Sequence, residues 1–209
     1  MLLEIVDVWK KYRDWILKGV SLSFKENGLV AIVGKNGSGK TTLLKITCGL
    51  IKPTKGEIKI LGKDIRKNKN YKKNIGVMFH ENILYEELTV KENLDFYAKM
   101  FGCMSDVAID VFERLGLKKF MNERVGNLSY GWKKRLNFVR ALINNPKIVL
   151  LDEPLSGLDE SARVELSKIL SELSNDKLVI FTSPSYPELE CRVYTLENGI
   201  LHESNMVNT

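Results

Sequence analysis

Apolar residues along this chain follow two rhythms, and the change between them divides the sequence. Leu2 to Val8, Val20 to Phe24 and Leu29 to Val33 are short runs of aliphatic and β-branched residues, which predict strands. After a glycine-rich break, Thr42-Leu43-Leu44-Lys45-Ile46 predicts a helix reaching about Gly49. Ile58-Lys59-Ile60-Leu61, bracketed by Gly56 and Gly62, predicts an edge strand, and Ile75 to Phe79 a more buried one. The period then becomes helical: Val90, Leu94, Tyr97, Ala98 and Phe101 share one face, and Val107 to Leu115 continues after a turn at Gly102. A third helix, lined by Trp132, Leu136, Val139 and Ile143, follows Gly131 and stops at Asn144-Asn145-Pro146. Strand and helix then alternate again through Ile148 to Leu151, an amphipathic stretch marked by Ala162, Leu166, Ile169, Leu170 and Leu173, and Leu178 to Phe181. The pattern predicts an α/β domain over residues 1–209, with a core lobe of about 1–86 and 140–209 and an inserted helical subdomain of about 87–139.

The glycine-rich break carries the clearest chemistry. Gly34-Lys35-Asn36-Gly37-Ser38-Gly39-Lys40-Thr41 is a complete GxxxxGK[ST] loop between a buried strand and a helix, continued by Thr42. Its glycines let consecutive backbone N–H groups and the helix N-terminus point at one phosphate chain. Lys40 is expected to reach the β- and γ-phosphates, and the Thr41 hydroxyl to ligate Mg²⁺. About a hundred residues on, the apolar strand Ile148 to Leu151 ends in Asp152 and Glu153. Strand ends are where α/β sheets hold ligands, so Asp152 suits the metal shell and Glu153 a general base acting on water.

Composition narrows the setting without changing this picture. With 44% hydrophobic and 28% charged residues, the 209-residue chain has the make-up of a water-soluble globular domain. No apolar run approaches a membrane span, and Glu4 and Asp7 interrupt the region where a signal peptide would be apolar, so a cytoplasmic protein is expected. Cys48, Cys103 and Cys191 are widely separated, in no metal-ligand spacing, and read as reduced structural thiols. The formal charge of +6 includes a basic segment at Lys63, Arg66, Lys67, Lys69, Lys72 and Lys73. Only Tyr71 interleaves it, which argues for a solvated connection rather than a nucleic-acid surface.

Leu128-Ser129-Tyr130-Gly131-Trp132, opening a helix just before the acidic strand, resembles the LSGGQ signature of ATP-binding cassette ATPases, with Tyr130 and Trp132 in place of a glycine and the glutamine. Other stretches are similar to the family in order and spacing: Leu17 to Phe24 resembles its second strand, Leu88 to Leu94 the opening of its helical lobe, and Ser156-Gly157-Leu158-Asp159 its dimer-contacting D-loop. The resemblance spans residues 2 to about 201. It implies a P-loop NTPase core with a RecA-like mixed sheet, an antiparallel β subdomain and an inserted α-helical subdomain. It also implies ATP and Mg²⁺ as ligands, and a head-to-tail dimer in which Ser129 and Gly131 meet the γ-phosphate held by the opposite subunit. Tyr12 stands where the family places an adenine-stacking aromatic. Trp15 competes with it for that role.

Two departures from the family pattern bear on turnover. A glutamine usually follows the strand ending here at Phe79, and this chain has His80 and Glu81 instead. The family's switch histidine falls at Ser183, after Phe181-Thr182. Losing a hydrogen bond to a charged phosphate, about 1.5–3 kcal/mol, predicts turnover slower by roughly one to two orders of magnitude. His80 is expected to cover part of that loss from the other side of the γ-phosphate. The resemblance therefore implies the ATP-binding subunit of a transporter, peripheral on the cytoplasmic face of a membrane, with a second cassette subunit and a separate permease docked near His80 to Glu87. The short stretch after Gly199-Ile200-Leu201 favours a compact, exporter-like type over importers with an appended regulatory domain. Two alternatives stand beside it: a soluble assembly or regulatory ATPase, and a non-hydrolysing cassette paired with a competent one.

Overall fold

The computed structural model describes residues 1–81 and 83–204. The expected alternation of strands and helices is present, organised around two sheets. The first is antiparallel, in the order β2 (Trp15–Phe24), β1 (Leu3–Lys11), β4 (Lys55–Ile60) and β5 (Lys63–Asp64). The second has six strands in the order β10 (Ile200–Ser204), β9 (Arg192–Glu197), β3 (Gly28–Val33), β8 (Leu178–Ser183), β7 (Ile148–Leu151) and β6 (Ile75–Met78). All of its neighbouring pairs are parallel except β9 with β10, so the sheet is mixed.

Alternating residues of β3, β7 and β8 feed two different cores, which is why these strands read as unbroken apolar runs. Leu29, Ala31, Val33, Val149, Leu151, Val179 and Phe181 face α2 (Val90–Phe101), α3 (Asp106–Arg114), α4 (Tyr130–Leu142) and α5 (Glu160–Leu173). Val30, Ile32, Ile148, Leu150, Leu178 and Ile180 face α1 (Lys40–Thr47) and the antiparallel sheet. The helices begin where local chemistry tells them to. Thr89 and Glu92 form a reciprocal capping box at α2, and Ser105 and Asp159 accept from the first-turn amides of α3 and α5.

Two strands take positions the sequence reading does not anticipate. β4 lies between β1 and β5 rather than at the sheet edge, although β5 pairs with it over only Lys59 and Ile60. β6, read as a more buried strand, is buried as expected yet stands as the terminal strand of its sheet. Its burial comes from α4, whose Asn137 amide donates to Phe79 O at 3.3 Å and whose Arg140 guanidinium donates to Val77 O. Side chains thus satisfy the carbonyls that a further strand would have paired. Burial pushes Arg140 down to about 10, although the Tyr97 hydroxyl opposes the shift. The hairpin of β9 and β10 is an addition to the predicted elements, and β2 begins at Trp15, ahead of both the Val20 start of the apolar run and the Leu17 start implied by the resemblance.

The basic segment forms β5 and a 3-10 turn over Lys69–Asn74, with Tyr71 turned inward and its hydroxyl donating to Cys48 O at 3.2 Å. Burial raises the Cys48 and Cys191 thiols to about 11, which suits structural rather than reactive cysteines. Among the described residues, no helix is long and apolar enough to cross a membrane.

Candidate functional site

The site forms where the C-terminal ends of β3, β7 and β8 meet the start of α1. Gly34 follows β3, and a side chain there would place its Cβ 2.5 Å from Leu196 O and 2.9 Å from Ser38 Oγ. Gly39, at φ 106°, holds a left-handed turn immediately before the helix, so α1 starts with no side-chain cap on its first amides. Lys35, Asn36 and Gly37 are exposed at the loop crest, while Thr42 is partly buried on the first turn. Lys40 is 5% exposed and curls back to donate to Gly34 O at 2.7 Å and Lys35 O at 3.2 Å. Ser38 Oγ is buried with no hydrogen-bond partner among the described residues. An orphaned hydroxyl, a folded-back ammonium and uncapped helix amides are the donor set a phosphate chain requires, so the residues present fit a nucleotide.

The acidic pair sits against this loop. The Thr41 hydroxyl donates to Asp152 Oδ2 at 2.8 Å, and Thr182 Oγ1 donates to Asp152 Oδ1 at 2.7 Å. The same Thr182 hydroxyl accepts from Glu153 N at 2.9 Å, which fixes the backbone where the strand turns away. Glu153 holds a left-handed φ of 49°, and its Oε1 lies 3.9 Å from Lys40 Nζ. The left-handed turn sends the two neighbouring acids in different directions. Asp152 is closed in by two hydroxyls, whereas the Glu153 carboxylate remains partly exposed. Among the described residues, no three His, Cys, Asp or Glu side chains assemble into a metal cage. The hard oxygens of Thr41 and Asp152 are of the donor type that would suit a Mg²⁺ ion.

The other sequence-derived candidates are distributed around this centre. Ser183 ends β8 opposite Val33, and its carbonyl accepts from Gly34 N at 3.3 Å, so it adjoins the start of the phosphate loop. His80 is exposed, with Nδ1 3.2 Å from the Tyr130 hydroxyl, and Glu81 pairs with Lys45 at 3.3 Å. Ser129 occupies the N-cap position of α4 but makes no side-chain capping bond, and its residue is exposed. Asp159 caps α5 and pairs with Arg135, and the Ala162 amide followed by Arg135 holds its carboxyl below the usual range. A 450 Å³ cavity runs along Lys35 to Ser38, with Trp15, Ile16 and Asn198 in its wall. Trp15 is thus the competing aromatic that the fold places in that wall. Tyr12 is 57% exposed on the turn after β1, with Lys10 Nζ 4.8 Å from its ring centre.

Two contributors escape a reading by motif. Thr182 bridges both acids, and buried Lys134 reaches the backbone beyond Glu153. A usable signal existed for Lys134: it lies four residues before Phe138 and eight before Leu142, on the buried face of α4.

A phosphate loop, an acid-tipped parallel strand and a mixed sheet together define a P-loop nucleotide-binding protein. Residues 17–156 match the family model described as ABC transporter, and the chain belongs to that family. It is 31% identical over 201 residues to the ABC transporter ATP-binding protein NatA of Bacillus subtilis, covering 90% of this chain and 82% of that protein. With the bacitracin transport ATP-binding protein BcrA of Bacillus licheniformis it shares 34% identity over 209 residues, 99% of this chain and 68% of that one. A dimeric, post-hydrolysis ATP-binding cassette bound to ADP and Pi superposes over 100% of both chains, with a TM-score of 0.85 at 29% identity.

Proposed function

We propose that this chain binds Mg·ATP at the junction of β3, α1 and β7, hydrolyses it with Glu153 as general base, and powers a separate membrane permease. The observation that carries the reading is the joined set of Lys40, Thr41, Asp152 and Glu153, linked by contacts of 2.8 Å between Thr41 and Asp152 and 3.9 Å between Lys40 and Glu153. Gly34 to Gly39 cradle the phosphates, Lys40 opens from its loop carbonyls toward them, and Thr41 and Asp152 hold Mg²⁺. A Mg²⁺ ion held there would supply charge neutralisation for the phosphates. Trp15 takes the base from the wall of the loop cavity, with Tyr12 as the outer aromatic.

Ser129 and Gly131 complete the site of a second cassette, and Asp159 orders the D-loop at that contact. The uncapped hydroxyl of Ser129 supports this, since no bond within its own helix competes for it. With Ser183 at the end of β8, turnover is slow, and His80 supplies part of what a longer switch side chain would give. The helical segment of about 87–139 acts as the lobe that meets the permease. Exposed Ile83, Tyr85, Phe96 and Met100 support that docking face. Asn93 and Tyr97 pin the loop beneath it by bonding the Tyr85 backbone and Ile83 O. Of the docking segment His80 to Glu87, residue Asn82 lies outside the described residues. The chain then works on the cytoplasmic face of the membrane.

Affinity purification of the tagged chain in mild detergent tests the permease. A polytopic membrane protein retained in stoichiometric amount, and released by Tyr85→Asp, is the expected result. Soluble partners alone, across several detergents, would transfer the chain to the assembly-factor class.

A further inference from the structure

Lys134 is a buried cation that the catalytic scheme above does not use. It is 3% exposed, on the second turn of α4, and its ammonium donates to Glu153 O at 2.6 Å, to Ser156 Oγ at 2.7 Å and to Ser156 O. All three N–H donors are satisfied, and every acceptor is a neutral oxygen. Among the described residues, no carboxylate pairs with this buried charge. Its bonds instead converge on one turn of backbone.

That turn begins at Glu153, whose left-handed φ of 49° a non-glycine residue keeps only when its surroundings impose it. The imposition comes from two sides. Thr182 fixes the Glu153 amide at 2.9 Å, and Lys134 fixes the Glu153 carbonyl from the opposite face. Ser156 closes the turn, with its amide 3.2 Å and its hydroxyl 3.0 Å from Glu153 O. The first turn of α4 carries Tyr130, whose ring packs so closely on Gly157 that a Cβ there would come within 2.9 Å of it. Burial pulls Lys134 down to about 8, against the fields of Glu153 and Asp152, which leaves it charged at neutral pH.

We propose that Lys134 is a positioning residue for Glu153, an ammonium clamp that ties α4 to the Glu153–Ser156 turn and holds the carboxylate in register with the phosphate loop. The proposal rests on Glu153 acting as the base. Among the described residues, the hydrogen bonds of Lys134 go to Glu153 and Ser156 rather than to the phosphate loop, so its loss should reduce kcat while sparing ATP binding. A displacement of about 1 Å at a reacting group can cost about 10²-fold in rate.

The test is Lys134→Met and Lys134→Arg in the full chain, read by ATP turnover and by amide hydrogen exchange of the segment 153–157. Lys134→Met should lower kcat about 10- to 100-fold with KM for ATP within about twofold, and exchange in that segment should accelerate about tenfold while β7 stays protected. Lys134→Arg, which keeps a cation and its donors, should recover part of both. If Lys134→Met does not fold, Lys134→Gln is read in the same way, since its single amide cannot bond three acceptors. If the unaltered chain turns over no ATP, the functional reading fails and exchange alone decides the clamp. Unchanged exchange at 153–157 overturns the proposal, as does unchanged kcat in a protein that Glu153→Gln still inactivates.

Discussion

Replacing Thr182 with valine keeps the β-branched shape of a residue that is 1% exposed but removes a hydroxyl with two duties. The first is donation to Asp152 Oδ1 at 2.7 Å, a bond to a charged group worth about 1.5–3 kcal/mol. The second is acceptance from Glu153 N at 2.9 Å, and leaving that amide without a partner costs about 1–3 kcal/mol. Summed, the two losses come to at most about 2.5–6 kcal/mol, because both use one hydroxyl, out of a total stability near 5–15 kcal/mol. With a urea m-value of about 2 kcal/mol/M, the unfolding midpoint should fall by up to about 1.2–3 M. Tryptophan fluorescence at pH 7 can follow the transition through the chain's three tryptophans. Thr182→Ser, which keeps the hydroxyl, should lose well under half as much. A midpoint shift below about 0.5 M at unchanged m would refute the view that Thr182 holds both acids in place.

His80→Ala should lower turnover by at least about threefold without changing stability, because His80 is exposed; an ATPase rate equal to that of the unaltered chain would end its assignment as partial cover for Ser183. Gly76→Ala should destabilise by about 3 kcal/mol or more in the same urea assay, since its Cβ would meet Ala141 O at 2.0 Å and Pro146 Cγ at 2.8 Å, forcing α4 off β6. Lys134 falls from 10.5 to about 8 on folding, so between those values the unfolded chain binds more protons and stability contributed by this group rises with pH. Because Cys48 and Cys191, raised from 9.0 to about 11, act in the opposite sense, the readout is the urea midpoint of the unaltered chain minus that of Lys134→Met. That difference should grow from pH 7.5 to about 10.

The parts of this fold legible in sequence are those where one signal suffices. Strands β3, β7 and β8 are buried on both faces and therefore stand out as apolar runs, and the phosphate loop and Asp152-Glu153 lie at their ends. Strand β9 is only half-buried and does not alternate: of Arg192 to Glu197, only Val193 and Leu196 are buried, three positions apart, so neither a period of two nor an apolar run marks it. A hairpin signal was nonetheless present: Asn198-Gly199 follows it, and both residues take positive φ, 51° and 81°, as a tight hairpin turn requires. Strand order is a different matter. Nothing local tells that Ile75 to Met78 ends a sheet, because Arg140 and Asn137, more than fifty residues away in sequence, cover its edge. Likewise the pairing of His80 with Tyr130, and of Lys134 with the Glu153 turn, depends on where α4 crosses β6 and β7.

The claim at the centre of this account is that Glu153 is the base of an ATP-hydrolysing site, and steady-state phosphate release by the purified chain and by Glu153→Gln, alongside direct measurement of Mg·ATP affinity, tests it most directly. The account predicts measurable turnover that falls about 10²- to 10⁴-fold in the variant while ATP affinity is retained. Equal rates in the two proteins would contradict it.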